Sequence, residues 1–254
     1  MRLSVITVCF NAARTLARTM ESVFAQKTRH EIDYLVIDGG STDGTVETIR
    51  RLAAAAPAGV SVRWVSERDE GMYDALNKGV AMATGEVIGI LNADDVFEDE
   101  TVLETVVGAF EDGVDCVYGD VRFVRPGGEA TVRYYSSRPW RPWMHNWGYM
   151  PAHPTVYVRR AVFDRFGPYR LGYDISADFE WMVRVLCRGK TAAKYIPRCL
   201  VTMTLGGKST AGWRALLRLN RENVRANRAN GYVCCLPMML PKYAYKAAGY
   251  LFKR

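Results

Sequence analysis

The chain is 254 residues long and carries 34 Lys and Arg against 27 Asp and Glu, a formal charge of +7. Hydrophobic residues make up 49% and charged ones 24%, which excludes a disordered or low-complexity chain and suits one large α/β domain or two small ones. No run of about 18 uninterrupted apolar residues occurs, so no helical membrane span is expected.

The amino terminus runs straight into a β-branched strand over 3–9, without a charged leader and apolar signal core, so export is not expected. A helix follows, with Leu16, Met20, Val23 and Phe24 on one face. A strand over 32–38, a Gly/Ser/Thr/Asp loop, a helix over 45–56, a strand over 60–66, a helix over 72–83 and a strand over 86–91 come next. This alternation predicts a mainly parallel sheet covered on both faces. Ligands on such sheets sit at the carboxyl ends of the strands. The polar clusters at Asn11, Asp38 to Asp43, Glu67 to Glu70 and Asn92 to Asp95 should therefore converge on one rim. Past residue 112 the pattern loosens. Short strands are expected near 116–118 and 130–134, an aromatic loop over 135–154, a helix over 177–188 and a short strand near 200–204.

From residue 211 onward nine basic residues face one acid, Glu222, so this tail is +8 and residues 1–210 sum to −1. Arg214, Arg218, Arg221, Arg225 and Arg228 recur at spacings of 4, 3, 4 and 3, which lines one helix face while Trp213, Leu216 and Leu217 face elsewhere. The following stretch, 232–240, is apolar and proline-broken. A basic stripe beside an apolar patch predicts contact with an anionic membrane surface, against the plainer reading of a solvated face. No recognised nucleic-acid fold accompanies the stripe, so no nucleic-acid partner is expected. The six cysteines lie mostly in apolar runs and read as small buried hydrophobes in a reducing compartment.

No glycine triplet follows the first strand, which argues against a dinucleotide site. Gly206-Gly207-Lys208-Ser209-Thr210 is not a phosphate loop, because the first glycine of that motif would fall on Thr202. Asp94 and Asp95 end an apolar strand side by side. Adjacent carboxylates repel unless a divalent cation or separate hydrogen bonds accommodate them, and a capping pair for the next helix is the alternative.

Four segments taken together carry more: Val5-Ile6-Thr7-Val8-Cys9-Phe10-Asn11, Asp38-Gly39-Gly40-Ser41-Thr42-Asp43-Gly44-Thr45, Glu70-Gly71-Met72-Tyr73-Asp74-Ala75-Leu76-Asn77-Lys78-Gly79 and Asn92-Ala93-Asp94-Asp95. Their order and spacing resemble family 2 glycosyltransferases of the GT-A fold. Ala152-His153-Pro154-Thr155 and the segment from Tyr173 to Trp181 look like the acceptor-side motifs of polysaccharide-building members, and Gly206 to Ser209 like their closing loop. The resemblance covers about 3–210. It implies one GT-A domain over 1–210, with a nucleotide-sugar half (1–112) and an acceptor half (113–210), followed by the basic tail (211–254).

The resemblance also implies roles. Thr7, Asn11, Asp38, Ser41, Asp69, Asn77, Lys78, Asn92 and Asp94 would contact the donor nucleotide, with Asp38 accepting a hydrogen bond from the base. Asp94 and Asp95 occupy the metal position, where Mg²⁺ or Mn²⁺ would bridge the diphosphate. Asn92 replaces the first acid of the usual Asp-x-Asp, and Leu76 stands where an arginine is common, which leaves the base open. Asp178 falls where the catalytic base is placed, with Glu180 as the fallback. His153, Lys208 and Ser209 would touch the acceptor or the diphosphate, with a packed loop residue and a solvated turn as the competing readings. Independently of the resemblance, Trp140, Trp143 and Trp147 put half of the six tryptophans within eight positions, which suggests an aromatic platform for an acceptor sugar or a membrane-facing edge, with core packing as the competing reading. The implied function is inverting, metal-dependent transfer of a sugar to a lipid-linked glycan, at the inner face of the cytoplasmic membrane. A polyprenyl-phosphate sugar transferase and a non-catalytic nucleotide-sugar-binding protein are the alternatives.

Overall fold

Four parallel strands open the chain: β1 (Arg2–Cys9), β2 (Glu31–Asp38), β3 (Val60–Ser66) and β4 (Val87–Ile90). The computed structural model describes residues 1–206 and 212–251, with side chains as far as 247. Helices α1 (Leu16–Phe24), α2 (Thr45–Ala54) and α3 (Met72–Met82) connect the strands in turn. β1 pairs in parallel with both β2 and β4, and β2 with β3. Alternate residues of β1 enter opposite cores: Ile6 and Val8 join one cluster, Leu3, Val5 and Cys9 the other. On α1, Leu16, Met20 and Val23 are buried together, as their spacing requires. A side chain at Gly79 would come within 2.5 Å of Ile6 Cγ2, so the glycine lets α3 lie directly on β1.

The second half adds β5 (Val96–Phe97), α4 (Val102–Gly108), β6 (Cys116–Val124), β7 (Thr131–Tyr135), β8 (Tyr157–Arg159), α5 (Arg160–Phe166), α6 (Ala177–Met182) and β9 (Ala193–Thr204). The sheet runs β3-β2-β1-β4-β8-β6-β9-β5, with β7 pairing β6. β8 is antiparallel to β4 and β6, so it joins the parallel half to the mixed half. The strands expected near 116–118 and 200–204 are longer than the pattern indicated, and β5, β8 and α5 were not anticipated. Two- and three-residue strands are too short to show a period. The helix expected over 177–188 is α6 followed by wider π-type turns over Val183–Arg188.

The chain ends in α7 (Trp213–Ala229) and α8 (Pro241–Leu251). The face of α7 turned to the domain mixes Val224 and Ala226 with polar groups: Glu222, Asn223, Asn227 and Asn230 just beyond it are buried. Asn227 is bonded to His145, with Oδ1 2.5 Å from the ring Nδ1 and Nδ2 donating to the carbonyl at 3.1 Å. The arginines at 214, 218, 221, 225 and 228 are all exposed. Trp213 and Leu217, expected to face away from them, instead line the same groove, so the stripe is not purely basic.

Candidate active site

The parallel register sets Cys9, Asp38 and Ser66 side by side at the strand ends. Asp38 is buried. Its Oδ2 accepts from the amides of Gly40 (3.1 Å) and Ser41 (2.9 Å) and from Ser66 Oγ (2.7 Å), and its Oδ1 from Ser41 Oγ (2.5 Å). Burial opposes ionisation, but the bonds from Ser41 and Ser66 outweigh it and hold the carboxyl below the usual carboxylate range. Asp38 therefore shapes the loop, and its oxygens are engaged rather than offered to a base. Asn11, in the left-handed region at φ 49°, accepts from the Thr42 amide at 3.0 Å, and its own amide donates to Ser41 Oγ at 2.7 Å. Asn11 and Ser41 thus knit the first two loops together.

Thr7 lies below this rim. It is buried, donates to the Leu91 carbonyl at 2.7 Å and accepts from Tyr34 Oη at 3.1 Å, so it braces the core and does not form a pocket wall. Asn77 is similarly spent: Nδ2 donates to the Tyr169 carbonyl at 2.8 Å and Oδ1 accepts from its amide at 2.9 Å, clipping α3 to the segment before α6. Lys78 Nζ meets Glu67 at 2.9 Å and the Arg68 carbonyl at 3.1 Å at the edge of the rim, and the Glu67 bond raises its pKa. Asp69 packs where a side chain on Gly39 would stand, beside the ring of Phe10. Phe10 is 65% exposed, and the sequence reading gave it no role. Its signal was available: a large aromatic residue directly after a buried strand, at the ligand end of the sheet.

The acid pair follows β4. Asp95 is only 1% exposed, accepting from Asn92 Nδ2 at 2.9 Å and from the Thr204 amide at 3.3 Å. Asp94 is exposed, and its carbonyl accepts from Thr204 Oγ1 at 2.9 Å. Burial first, and then the Asp94 charge, push the Asp95 carboxyl up to about 8. Capping does not explain the pair, because the turn before α4 is held by Asp99, whose Oδ1 accepts from the Thr101 amide at 2.8 Å. Among the described residues no cation pairs with either acid, and no cluster of three or more ligating side chains forms a complete metal cage. Two carboxylates, one buried and uncompensated, are the oxygen donors that a divalent cation would need. Asn92, bonded to Asp95, serves as a brace.

Asp178 stands in the first turn of α6, partly exposed. Its Oδ1 accepts from the Phe179 amide at 2.8 Å and lies 3.1 Å from Tyr73 Oη, while Oδ2 accepts no hydrogen bond from any described residue. Tyr73 Oη also donates to the Ile175 carbonyl at 2.6 Å. Burial, reinforced by Asp178, pushes the Tyr73 phenol well above its ordinary pKa. The segment entering α6 is gripped from α7: Glu222 accepts from the amides of Asp174, Ile175 and Ser176 at 3.0, 3.0 and 2.9 Å. His153 Nε2 is 3.0 Å from Tyr169 Oη, and burial lowers its pKa against the opposing charge of Asp178.

Glu180 has no free carboxylate oxygen comparable to that of Asp178. It is buried, bonded to Arg184 at 3.0 and 3.2 Å, to Arg170 at 3.1 Å and to Asn230 at 3.1 Å, so it is a structural ion-pair hub and no fallback base. Trp140 packs into the core against Tyr118, whereas Trp147 meets the exposed Trp143 edge-on at 4.9 Å. Lys208 and Ser209 lie outside the described residues.

The profile of the family described as Glycosyl transferase family 2 matches residues 4–172. A PGL/p-HBAD biosynthesis glycosyltransferase of Mycobacterium tuberculosis is 30% identical over 203 residues, covering 76% of this chain and 73% of that protein. Among solved structures, the mannosyltransferase PcManGT from Pyrobaculum calidifontis, in complex with GDP-Man and Mn²⁺, superposes with a TM-score of 0.67 at 19% identity, over 98% of this chain and 70% of that one. S. aureus TarS 1-349 in complex with UDP-GlcNAc gives a TM-score of 0.66 at 14% identity, over 89% of this chain and 66% of that one. This chain spans 39% of the longer TarS chain. The architecture is that of the GT-A glycosyltransferases. With a matching profile over well over half its length and a curated relative at 30% identity, the chain belongs to glycosyl transferase family 2 and is a glycosyltransferase.

Proposed function

We propose that the protein transfers one sugar, with inversion, from a nucleotide-sugar to a hydroxyl of a glycan acceptor, and that Asp178 is the base. The observation that carries this reading is the asymmetric Asp178 carboxylate: Oδ1 is anchored and Oδ2 is left to accept a proton. The acceptor hydroxyl gives its proton to Oδ2, its oxygen bonds to the anomeric carbon, and the bond to the departing diphosphate breaks in line. Phe10, Asp69 and Lys78 border the place for the base, and Asn11, Asp38 and Ser41 hold the loops beside it. Asp94 and Asp95 would hold Mg²⁺ or Mn²⁺, which neutralises charge on the diphosphate. The donors in the PcManGT and TarS complexes, and the Mn²⁺ of the former, support a nucleotide-sugar donor and a metal here.

In this reading 1–112 serves the donor and 113–210 the acceptor, and the acceptor is a glycan on a lipid diphosphate at the inner face of the cytoplasmic membrane. The exposed Trp143, Val233, Leu236 and Leu240 near the α7 arginines support a peripheral contact, with Val233 90% exposed. No helix among the described residues is long and apolar enough to cross a membrane.

The test is Asp178→Asn, assayed with donor and acceptor. Transfer should fall at least about a hundredfold with donor affinity unchanged. Retained turnover would remove Asp178 as the base, and donor binding without any transfer by the parent protein would favour a binding role. For the membrane contact, Val233→Asp with Leu240→Asp should reduce flotation with anionic liposomes.

A further inference from the structure

The outer face of α7 carries an open groove of about 380 Å³, walled by Arg214, Arg218, Arg221 and Arg225 with Trp213 and Leu217. Glu222, the single acid of α7, also borders it, but its carboxylate is committed to the three amides of 174–176. Two of the arginines bind the groove to the segment that leads to Asp178. Arg218 pairs with Asp174 at 2.5 Å, and Arg225 donates to the Gly172 carbonyl at 2.5 Å with its guanidinium 3.9 Å from the Tyr173 ring centre. The other two are uncommitted: among the described residues neither Arg214 nor Arg221 is in an ion pair, and Arg214 lies 5.4 Å from the Trp213 ring centre.

The groove lies between side chains of α7 alone, where Trp213 and Leu217 put an apolar wall among the arginines that a merely solvated face does not need. Guanidinium forks match phosphate oxygens two at a time, and two forks with no ion-pair partner among the described residues, beside a tryptophan and a leucine, match a diphosphate with the first carbons of a lipid attached. From this arrangement we infer that the groove binds the diphosphate of the acceptor's lipid carrier, so that the glycan extends past residues 172–176 toward Asp178. This assignment rests on the reading of the acceptor as a glycan on a lipid diphosphate.

The experiment uses the full chain and the double substitution Arg214→Gln with Arg221→Gln, which leaves the Arg218 and Arg225 contacts in place. Two acceptors carrying the same glycan are compared, one on a short polyprenyl diphosphate and one on a neutral alkyl chain, both in detergent. The kcat/KM preference for the diphosphate acceptor should fall at least about tenfold, through KM, with the donor KM unchanged; an equal effect on both acceptors, or none, overturns the proposal. Calorimetric titration of geranyl diphosphate, with the nucleoside diphosphate saturating, separates the two readings. Arginine-dependent binding without turnover of any diphosphate acceptor means that the acceptor reading fails while the groove stands. Turnover of the diphosphate acceptor with no arginine dependence means the reverse. Inorganic pyrophosphate binding as tightly as geranyl diphosphate would make this a free-phosphate site and overturn the carrier assignment. Lost flotation on acceptor-free anionic liposomes with an unchanged acceptor preference would make it a headgroup patch and overturn the proposal too.

Discussion

Tyr73 Oη lies 3.1 Å from Asp178 Oδ1, a contact across 105 positions of sequence that ties the donor-side α3 to the acceptor-side α6. The same hydroxyl holds the Ile175 carbonyl, so one buried phenol sets both the entry to α6 and the direction of the carboxylate. Tyr73→Phe should lower kcat about tenfold with donor KM unchanged, and cost about 1–3 kcal/mol for the unsatisfied carbonyl. Steady-state kinetics with a denaturation curve check this, and a change in KM alone would contradict it.

Glu222 extends the same chain of support outward. Removing its carboxylate strands three backbone amides, and Glu222→Ala should cost about 2–4 kcal/mol of stability. Glu222→Gln keeps acceptor oxygen for part of the set and should fall between. Both should lower kcat more than donor affinity. Urea unfolding of the two variants beside the parent tests the ranking.

Asp95 gives a pH dependence with a definite sign. Its carboxyl is raised by burial and by Asp94 to about 8 in the folded chain, against about 4 when unfolded. Stability should therefore fall as pH rises from about 4 to about 8, because the unfolded chain ionises first, and the penalty is complete above the folded pKa. In cation-free buffer Asp95→Asn should raise Tm at pH 8 by at least about 2–4 °C, equivalent to about 1 kcal/mol, with no gain at pH 4. Mn²⁺ with a nucleoside diphosphate should stabilise the parent more at pH 8 than at pH 5, and the variant little at either.

Phe10 offers a test that stability does not confuse, since its ring is already in solvent. If a base stacks on it, Phe10→Ala should weaken nucleotide binding by about 1–3 kcal/mol with Tm unchanged. Titration with UDP and GDP measures this, and equal affinity for parent and variant would remove the ring from the donor site.

What the amino-acid order determined by itself was whatever depends on local periodicity and on loops following strands. The β-branched runs at β1 to β3, the face of α1 and the polar ends of the strands are local features, and the parallel half formed where they indicated. Asp178 at the start of a helix and the acid pair after β4 were readable for the same reason. What only the tertiary structure decided was how lone pairs and charges are spent. Thr7, Asn77 and Glu180 have the right chemistry for a site, yet each is satisfied by partners that long-range packing brings to it: Leu91 and Tyr34, Tyr169, and Arg184 with Arg170. The tail over 211–254 counts as nine basic residues and one acid, but only folding shows that Glu222 turns inward and the α7 arginines outward, because a buried run of amides needs a carboxylate while guanidinium groups are accommodated by solvent or by acceptors at the surface.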